Sequence, residues 1–314
     1  MSWLSAPPRS QAEQAQTFRA LVAAGLVVLP GVWDGLSALL ARAAGFRAVY
    51  LSGAAYTASR GLPDLGIVGL EEVVERAREI VQVSELPLIV DIDTGYGGVL
   101  NAARAARELA EARVAGVQIE DQQQPKKCGH LSAKLLAPPE ELEQKVRAIK
   151  QVAPDLYVIA RTDAYEREGI EGVVARARRY LAAGADAIFP EALPSEEAFR
   201  AVAAALPGVT LLANLTEFGK TPAFSAAEVA AWGYRIALFP VSALRVAAKA
   251  MERLYRTLAA EGTTRSLIGE MQTRAELYEL LGYFAYEEFD TTLAKSTLPE
   301  WPGGGVQVDV RKEG

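Results

Sequence analysis

Cysteine and histidine are nearly missing from this chain: 314 residues contain one of each, Cys128 and His130, two positions apart. One cysteine cannot close an internal disulfide, so the fold has to stand without cross-links. Long apolar runs are missing as well. The most apolar early stretch, "LVAAGLVVLPGVW", is broken by Gly25, Pro30 and Gly31 and is too short to cross a bilayer. The opening "MSWLSAPPRSQAEQAQ" lacks the uninterrupted apolar core of a signal peptide, so a cytoplasmic protein with no membrane partner is expected. There is no long basic run, and the formal charge is −6. That argues against nucleic acid, whose phosphates demand clustered Lys and Arg. Neither Gly nor Pro is enriched enough to signal disorder, and half of the residues are hydrophobic, which leaves an ordinary globular chain.

What the sequence does have is alternation. Short runs rich in Val, Ile and Leu each end in a polar or glycine-bearing turn, and each is followed by an amphipathic Ala/Glu/Arg-rich stretch. There are eight such runs: 27–34, 48–53, 87–95, 116–122, 156–164, 187–192, 209–217 and 234–244. Near-continuous apolar strands imply a parallel sheet covered on both faces, and eight strands separated by helices are the number that closes a barrel. The expected fold is therefore a single α/β domain over 1–314, a (β/α)8 TIM-type barrel, with residues 262–314 as a C-terminal helical extension and tail. Two helical stretches, 244–261 and 271–288, follow the eighth strand, and both carry apolar or aromatic stripes. A barrel uses one of them as its eighth helix. The stripe of the other, with Leu277, Leu280, Leu281, Tyr283 and Phe284, calls for a partner subunit.

In such barrels chemistry lies at the C-terminal strand ends. The polar residues there include Asp34, Ser52, Asp91, Asp93, Glu120 and Asp121, then Arg161, Asp163, Glu191, Asn214, Thr216, Glu217 and Ser242. So many carboxylates in one mouth repel each other unless a cation sits among them. Oxygen donors with almost no histidine point to Mg²⁺, with Mn²⁺ as a substitute, rather than Zn²⁺. Asp91 and Asp93 in "VDIDTGYGG" are two apart, so on a strand they face the same way, and Glu120 follows on the neighbouring strand. The competing role for such an aspartate is to cap a helix or fix a turn. Arg161 and Arg245 bring cations to the mouth, suited to bidentate pairing with substrate carboxylates; the plainer role for Arg161 is an ion pair with Asp163. Arg274 reads from the sequence alone as a solvated helix arginine.

Cys128 sits in "IEDQQQPKKCGHLSAKLL", too polar and too marked by Gly and Pro to continue the fourth strand. The segment reads as a loop over the mouth. A lone cysteine is more often a small buried hydrophobe, but flanking lysine and glycine make this one accessible and favour its thiolate. His130 has two open roles, assisting the thiol or holding the loop.

Together, "DIDTGYGG", "KKCGH" after an "IEDQ" strand and "NLTEFGKTP" resemble the isocitrate lyase and phosphoenolpyruvate mutase superfamily, and within it the methylisocitrate lyase branch. The likeness extends through "GVWDGLSALLA", "YLSGAAYTASRGLPDLGI", "ARTDA", "FPEAL", "FPVSALRVAAKAMERLY" and "TRAELYELLGY". The resemblance implies a Mg²⁺-dependent lyase splitting the carbon–carbon bond of 2-methylisocitrate, a small tricarboxylate, into pyruvate and succinate. It makes Asp91 and Asp93 the Mg²⁺-linked carboxylates, with Asp64 and Glu120 reaching the ion largely through water. Cys128 becomes the catalytic acid and Tyr50 the proton acceptor. Ser52, Gly53 and Ala54 would cradle the pyruvate-forming half, and Gly129, Arg161, Glu191, Asn214, Thr216, Arg245 and Arg274 would complete the substrate shell. It also implies a homotetramer of helix-swapped dimers. The family's "SGG" stands here as "SGAAY". The loop motif "KKCGH" also occurs in isocitrate lyases, so isocitrate and dimethylmalate-type lyases remain alternatives; a non-catalytic binding barrel is a more remote one.

Overall fold

The computed structural model describes residues 7–126 and 134–293. Cys128 and Gly129, and His130 with them, lie outside the described residues. Residues 8–250 form one compact unit, and the described residues from Met251 onward belong to a second.

The first unit is the expected barrel. Its strands are β1 (Val27–Val32), β2 (Val49–Leu51), β3 (Leu88–Asp91), β4 (Gly116–Glu120), β5 (Tyr157–Thr162), β6 (Ala187–Pro190), β7 (Leu212–Asn214) and β8 (Ile236–Phe239). All pairings are parallel, in the order β6-β5-β4-β3-β2-β1-β8-β7, and a parallel bridge between Ile188 and Leu211 joins β6 to β7. Every one of the eight apolar runs holds one strand, two to seven residues shorter than the run because the turn residues leave the ladder.

Alternation along the strands sorts side chains between two cores. Leu29, Tyr50, Ile89, Ile159, Phe189 and Leu238 belong to the cluster inside the barrel. Their strand neighbours Leu51, Val90, Val117, Val158 and Ile188 join the larger cluster with the surrounding helices. The helix Gln11–Ala24, begun by a Ser10/Glu13 capping box, adds Phe18 and Val22 to the inner cluster. Phe18 meets Tyr157 edge to face at 4.9 Å.

The register then carries the inner row upward. Asp91 pairs with Gln118, Gln118 with Ile159, Glu120 with Arg161, and Arg161 with Phe189. Two residues above an apolar inner layer, the same faces therefore present acids and an arginine.

The helix Ser242–Glu261 starts in the first unit and runs into the second. In the second unit, the expected helix over 271–288 is two helices, Arg274–Leu281 and Tyr283–Leu293. Gly282, at φ 70, takes the left-handed conformation that ends the first. Tyr278 and Tyr283 stack at 4.5 Å across this joint.

Candidate active site

Acidic residues that look alike in the sequence have different fates. Asp34 caps the helix Gly35–Ala43, accepting from Ser37 N at 2.7 Å. Asp121 is buried and saturated: its carboxylate accepts from Thr162 Oγ1 at 2.7 Å, Tyr180 OH at 2.8 Å, Arg176 Nη1 at 3.1 Å and Asp163 N at 2.9 Å. Both act on structure rather than on a ligand.

Asp64, Asp91, Asp93 and Glu120 are not saturated in this way. Asp91 accepts only from Gly53 N at 3.2 Å and Asp93 N at 3.1 Å. Burial, with the charge of Asp93 beside it, pushes its pKa up to about 6. Burial also raises Asp93, and it raises Glu120 well above the usual carboxylate range. Glu120 meets Arg161 Nη1 at 3.3 Å through Oε2, while its buried Oε1 has no hydrogen-bond partner. The reason given for pairing Asp91 with Asp93 needs correcting. Strand β3 ends at Asp91, and Asp93 has φ 49, so a tight turn rather than strand alternation brings the two together. Gly53 belongs to the same contact, since a Cβ there would lie 3.0 Å from Asp91 Oδ2.

Amid these acids sits a cation that the sequence reading passed over. The ammonium of Lys126 hydrogen-bonds Asp64 Oδ1 and lies 2.6 Å from Asp93 Oδ1, and its side chain is only 4% exposed. Burial pulls its pKa down, but the surrounding carboxylates of Asp93, Glu120, Asp91 and Asp64 outweigh that and hold it above the usual lysine value. The signal was available: Lys126 opens the quoted "KKCGH", where attention went to the thiol.

The facing side of the mouth is basic and amide-bearing. Arg161 grips Asp163 with two bonds, Nε to Oδ2 at 2.9 Å and Nη2 to Oδ1 at 3.0 Å, and packs over Phe189. Lys134 Nζ reaches the same Asp163 Oδ1 at 2.8 Å. Burial raises the Asp163 carboxyl, yet these two cations overcome it and bring the pKa down to about 2. The plain ion-pair role of Arg161 is thus real, and Arg161 still borders the cavity. Asn214 Nδ2 lies 3.3 Å from both carboxylate oxygens of Glu191. Arg245 Nη1 donates to Thr216 Oγ1 at 3.2 Å and to Glu217 O at 2.8 Å.

Between the two sides is a cavity of about 100 Å³. Tyr50, Ser52, Ala54, Asp64 and Asp91 border it on one side, and Arg161, Glu191, Asn214, Thr216 and Arg245 on the other. Its apolar wall is Phe189, Leu238, Pro240 and Val241. Phe218, by contrast, is 96% exposed. Ser52 begins the helix Gly53–Ser59 and accepts from Ala55 N at 3.3 Å, so the "SGAAY" stretch is a helix start at a strand end. Arg274 opens a helix of the C-terminal unit and is described only there.

Tyr50 lines the cavity in a state unlike the one expected. It is fully buried, and desolvation followed by the charge of Asp91 raises its pKa well above the normal phenol value. Its hydroxyl donates to Gln118 Oε1 at 2.5 Å. A phenol held this way keeps its proton and acts as a donor, so the acceptor role has no support in this geometry.

The donor set suits a divalent cation that keeps part of its water. Among the described residues no three carboxylates close on a single point as a dry protein cage would. Oxygen donors alone, a buried Glu120 oxygen without a partner and an aspartate raised to about 6 match a hydrated Mg²⁺ held by one or two carboxylates.

An acidic mouth facing arginine and amide groups, at the C-terminal end of a parallel eight-stranded barrel, defines a barrel enzyme. The chain belongs to the phosphoenolpyruvate phosphomutase family, which residues 18–259 match. It is 55% identical over 301 residues to 2-methylisocitrate lyase of Bacillus subtilis, covering 96% of this chain and 100% of that one. Among solved structures, 2,3-dimethylmalate lyase superposes with a TM-score of 0.85 at 38% identity, covering 96% of this chain and 100% of the other. Phosphonopyruvate hydrolase in complex with oxalate and Mg²⁺ gives a TM-score of 0.81 at 27% identity, over 90% of this chain and 99% of the other.

Proposed function

We propose that this chain is a Mg²⁺-dependent carbon–carbon lyase that cleaves 2-methylisocitrate to pyruvate and succinate. The observation that carries the reading is the divided mouth: carboxylates short of donors on one side of a cavity, Arg161, Asn214 and Arg245 on the other. A β-hydroxy tricarboxylate needs both sides at once, a cation for the hydroxyl-bearing end and guanidinium groups for the remaining carboxylates. The 2-methylisocitrate lyase of Bacillus subtilis, alike over nearly the whole chain, supports the choice of substrate.

In this reading Asp91 and Asp93 would hold Mg²⁺, with Asp64 and Glu120 through water. Bound there, the ion would supply positive charge to the oxygens of the fragment that becomes the 2-oxo acid. The Ser52 hydroxyl and the helix start at Gly53 and Ala54 receive the pyruvate half. Arg161, Arg245 and Arg274, with Glu191, Asn214, Thr216 and Gly129, orient the other half. The substrate hydroxyl gives its proton to solvent, its oxygen becomes the carbonyl of the 2-oxo acid as the C–C bond breaks, and the electron pair of that bond stays on the carbon beside a carboxylate of the succinate fragment. Cys128 gives that carbon its proton from the opposite side, and the thiol recovers a proton before the next turnover. Tyr50, its hydroxyl donating to Gln118, lines the cavity beside the pyruvate half.

The same reading makes the enzyme a cytoplasmic homotetramer of helix-swapped dimers in which one of the C-terminal helices is exchanged. In support, Tyr255, Leu258, Leu281 and Phe284 leave between 38% and 64% of their surface exposed in the single chain. No helix among the described residues is long and apolar enough to cross a membrane.

One second reading has its own support, a dimethylmalate-type lyase, from the TM-score of 0.85 to that enzyme. Turnover of 2-methylisocitrate, isocitrate and 2,3-dimethylmalate, compared with Mg²⁺ present, decides between them. The highest kcat/KM is expected for 2-methylisocitrate, and a preference for either other acid overturns the assignment.

A further inference from the structure

Lys126 is buried, yet nothing in the proposed bond cleavage calls for it. Its ammonium is held from two sides, by a hydrogen bond to Asp64 Oδ1 and by Asp93 Oδ1 at 2.6 Å. Its backbone is fixed as well: Lys126 N donates to Gln124 Oε1 at 3.2 Å, and Gln124 Nε2 donates to Thr94 Oγ1 at 2.7 Å, next to Asp93 in the chain. The placement is therefore built, not the chance resting point of a long side chain.

A charge count shows what the ammonium does. Asp64, Asp91, Asp93 and Glu120 bring four carboxylates to one side of the mouth. The nearest other cation, Arg161, already holds Asp163 with two bonds and meets Glu120 at 3.3 Å. Among the described residues, that leaves Lys126 as the cation facing Asp64 and Asp93 directly. A divalent ion held by that Asp93 oxygen would stand at contact distance from an ammonium 2.6 Å away, and two cations so close in a buried site repel strongly.

We propose that Lys126 is a tethered counter-cation: it neutralises the acidic wall until the divalent ion arrives, competes with that ion for Asp93, and is displaced when the ion binds. This rests on the lyase reading above, in which Asp91 and Asp93 hold Mg²⁺. It adds a property which that reading does not contain, namely that the chain carries its own competitor and keeps metal affinity low in the absence of substrate.

The test is Mn²⁺ binding to the full chain without substrate at pH 8, followed by electron paramagnetic resonance of the free ion, for wild type, Lys126→Gln and Lys126→Arg. The Gln variant is expected to bind at least about tenfold more tightly than wild type, since a unit charge near the ion is removed. The Arg variant, which keeps the charge, is expected to stay within about threefold of wild type, a small change on the same electrostatic scale. Equal or weaker binding by a folded Gln variant overturns the competition and leaves the lyase reading in place. If neither wild type nor variant binds Mn²⁺, with or without 2-methylisocitrate, the metal-dependent reading falls and takes the proposal with it. A second measurement needs no variant: acetylation of Lys126 in wild type, read by peptide mass spectrometry, should rise as Mn²⁺ saturates the site. Unchanged labelling at saturation counts against displacement.

Discussion

Asp186 and Asp91 are both aspartates at the end of a barrel strand, one at the foot and one at the mouth. Asp186, just before β6, holds Arg19 on one oxygen, while the other takes Lys150 Nζ at 2.6 Å and Val158 N at 2.8 Å. Asp91, which ends β3, has two backbone N–H groups as donors and two like charges for neighbours. The foot is also filled by Phe18 and Val22, whereas the mouth keeps a cavity. The difference shows a division of labour along the barrel axis: Asp186 at the foot is matched and contributes to stability, while Asp91 and Glu120 at the mouth are left short of donors.

Substitutions at the two ends should therefore separate turnover from stability. The largest effect belongs to Cys128→Ser, which on the lyase reading replaces the acid's thiol by a far weaker acid. Turnover should fall by about 10³-fold or more with an unchanged melting temperature, and a rate near wild type in a steady-state assay would make the thiol structural. Asp91→Asn comes next, with kcat lower by about 10²–10³-fold. The metal-free variant should also melt higher than metal-free wild type at pH 7. The sign follows from the proton count. An unfolded aspartate releases its proton near 3.9, the folded one at about 6, so between those values the folded state binds more protons. Stability of the metal-free wild type thus falls as pH rises through that window, and the gap to the Asn variant should open between pH 4 and 6 and close below it. Thermal melts across pH showing no such gap contradict the crowded-acid description.

At the foot, Phe18→Ala removes a fully buried ring and should cost about 3–5 kcal/mol in urea unfolding, with kcat per folded molecule unchanged. A loss of turnover at constant folded fraction would blur the division between the ends. The smallest effect tests an acid at the mouth that belongs with the structural ones: Asp34→Ala loses a helix cap, worth about 1 kcal/mol, and leaves turnover alone. A tenfold drop in kcat/KM there would move Asp34 into the site.

The sequence made the strands and most of the mouth legible because both depend on local pattern. Apolar runs of the right length marked each strand, and the polar residues that close those runs, Asp91, Glu120 and Arg161 among them, marked the mouth. What it could not show depends on distances across the chain. Asp163 and Asp121 carry the same charge one residue past a strand end, yet one pairs with Arg161 and the other with Arg176, a choice made by tertiary packing. The state of Tyr50 follows from Gln118, 68 positions away. Lys126 is adjacent to the motif but looks like any loop lysine until Asp64 and Asp93 close on it. The break at Gly282 was visible as a glycine, but a glycine inside a helical pattern is tolerated often enough that the residue alone did not decide it.

The claim on which the rest depends is that the short-handed acids of the mouth work through a divalent ion on a 2-methyl tricarboxylate. Release of pyruvate from 2-methylisocitrate by the full-length protein, first in EDTA and then with Mg²⁺ added back, tests it most directly. Activity should vanish in the chelator and return with Mg²⁺, with succinate formed in equal amount. Undiminished pyruvate release in EDTA, or no release under either condition, would contradict it.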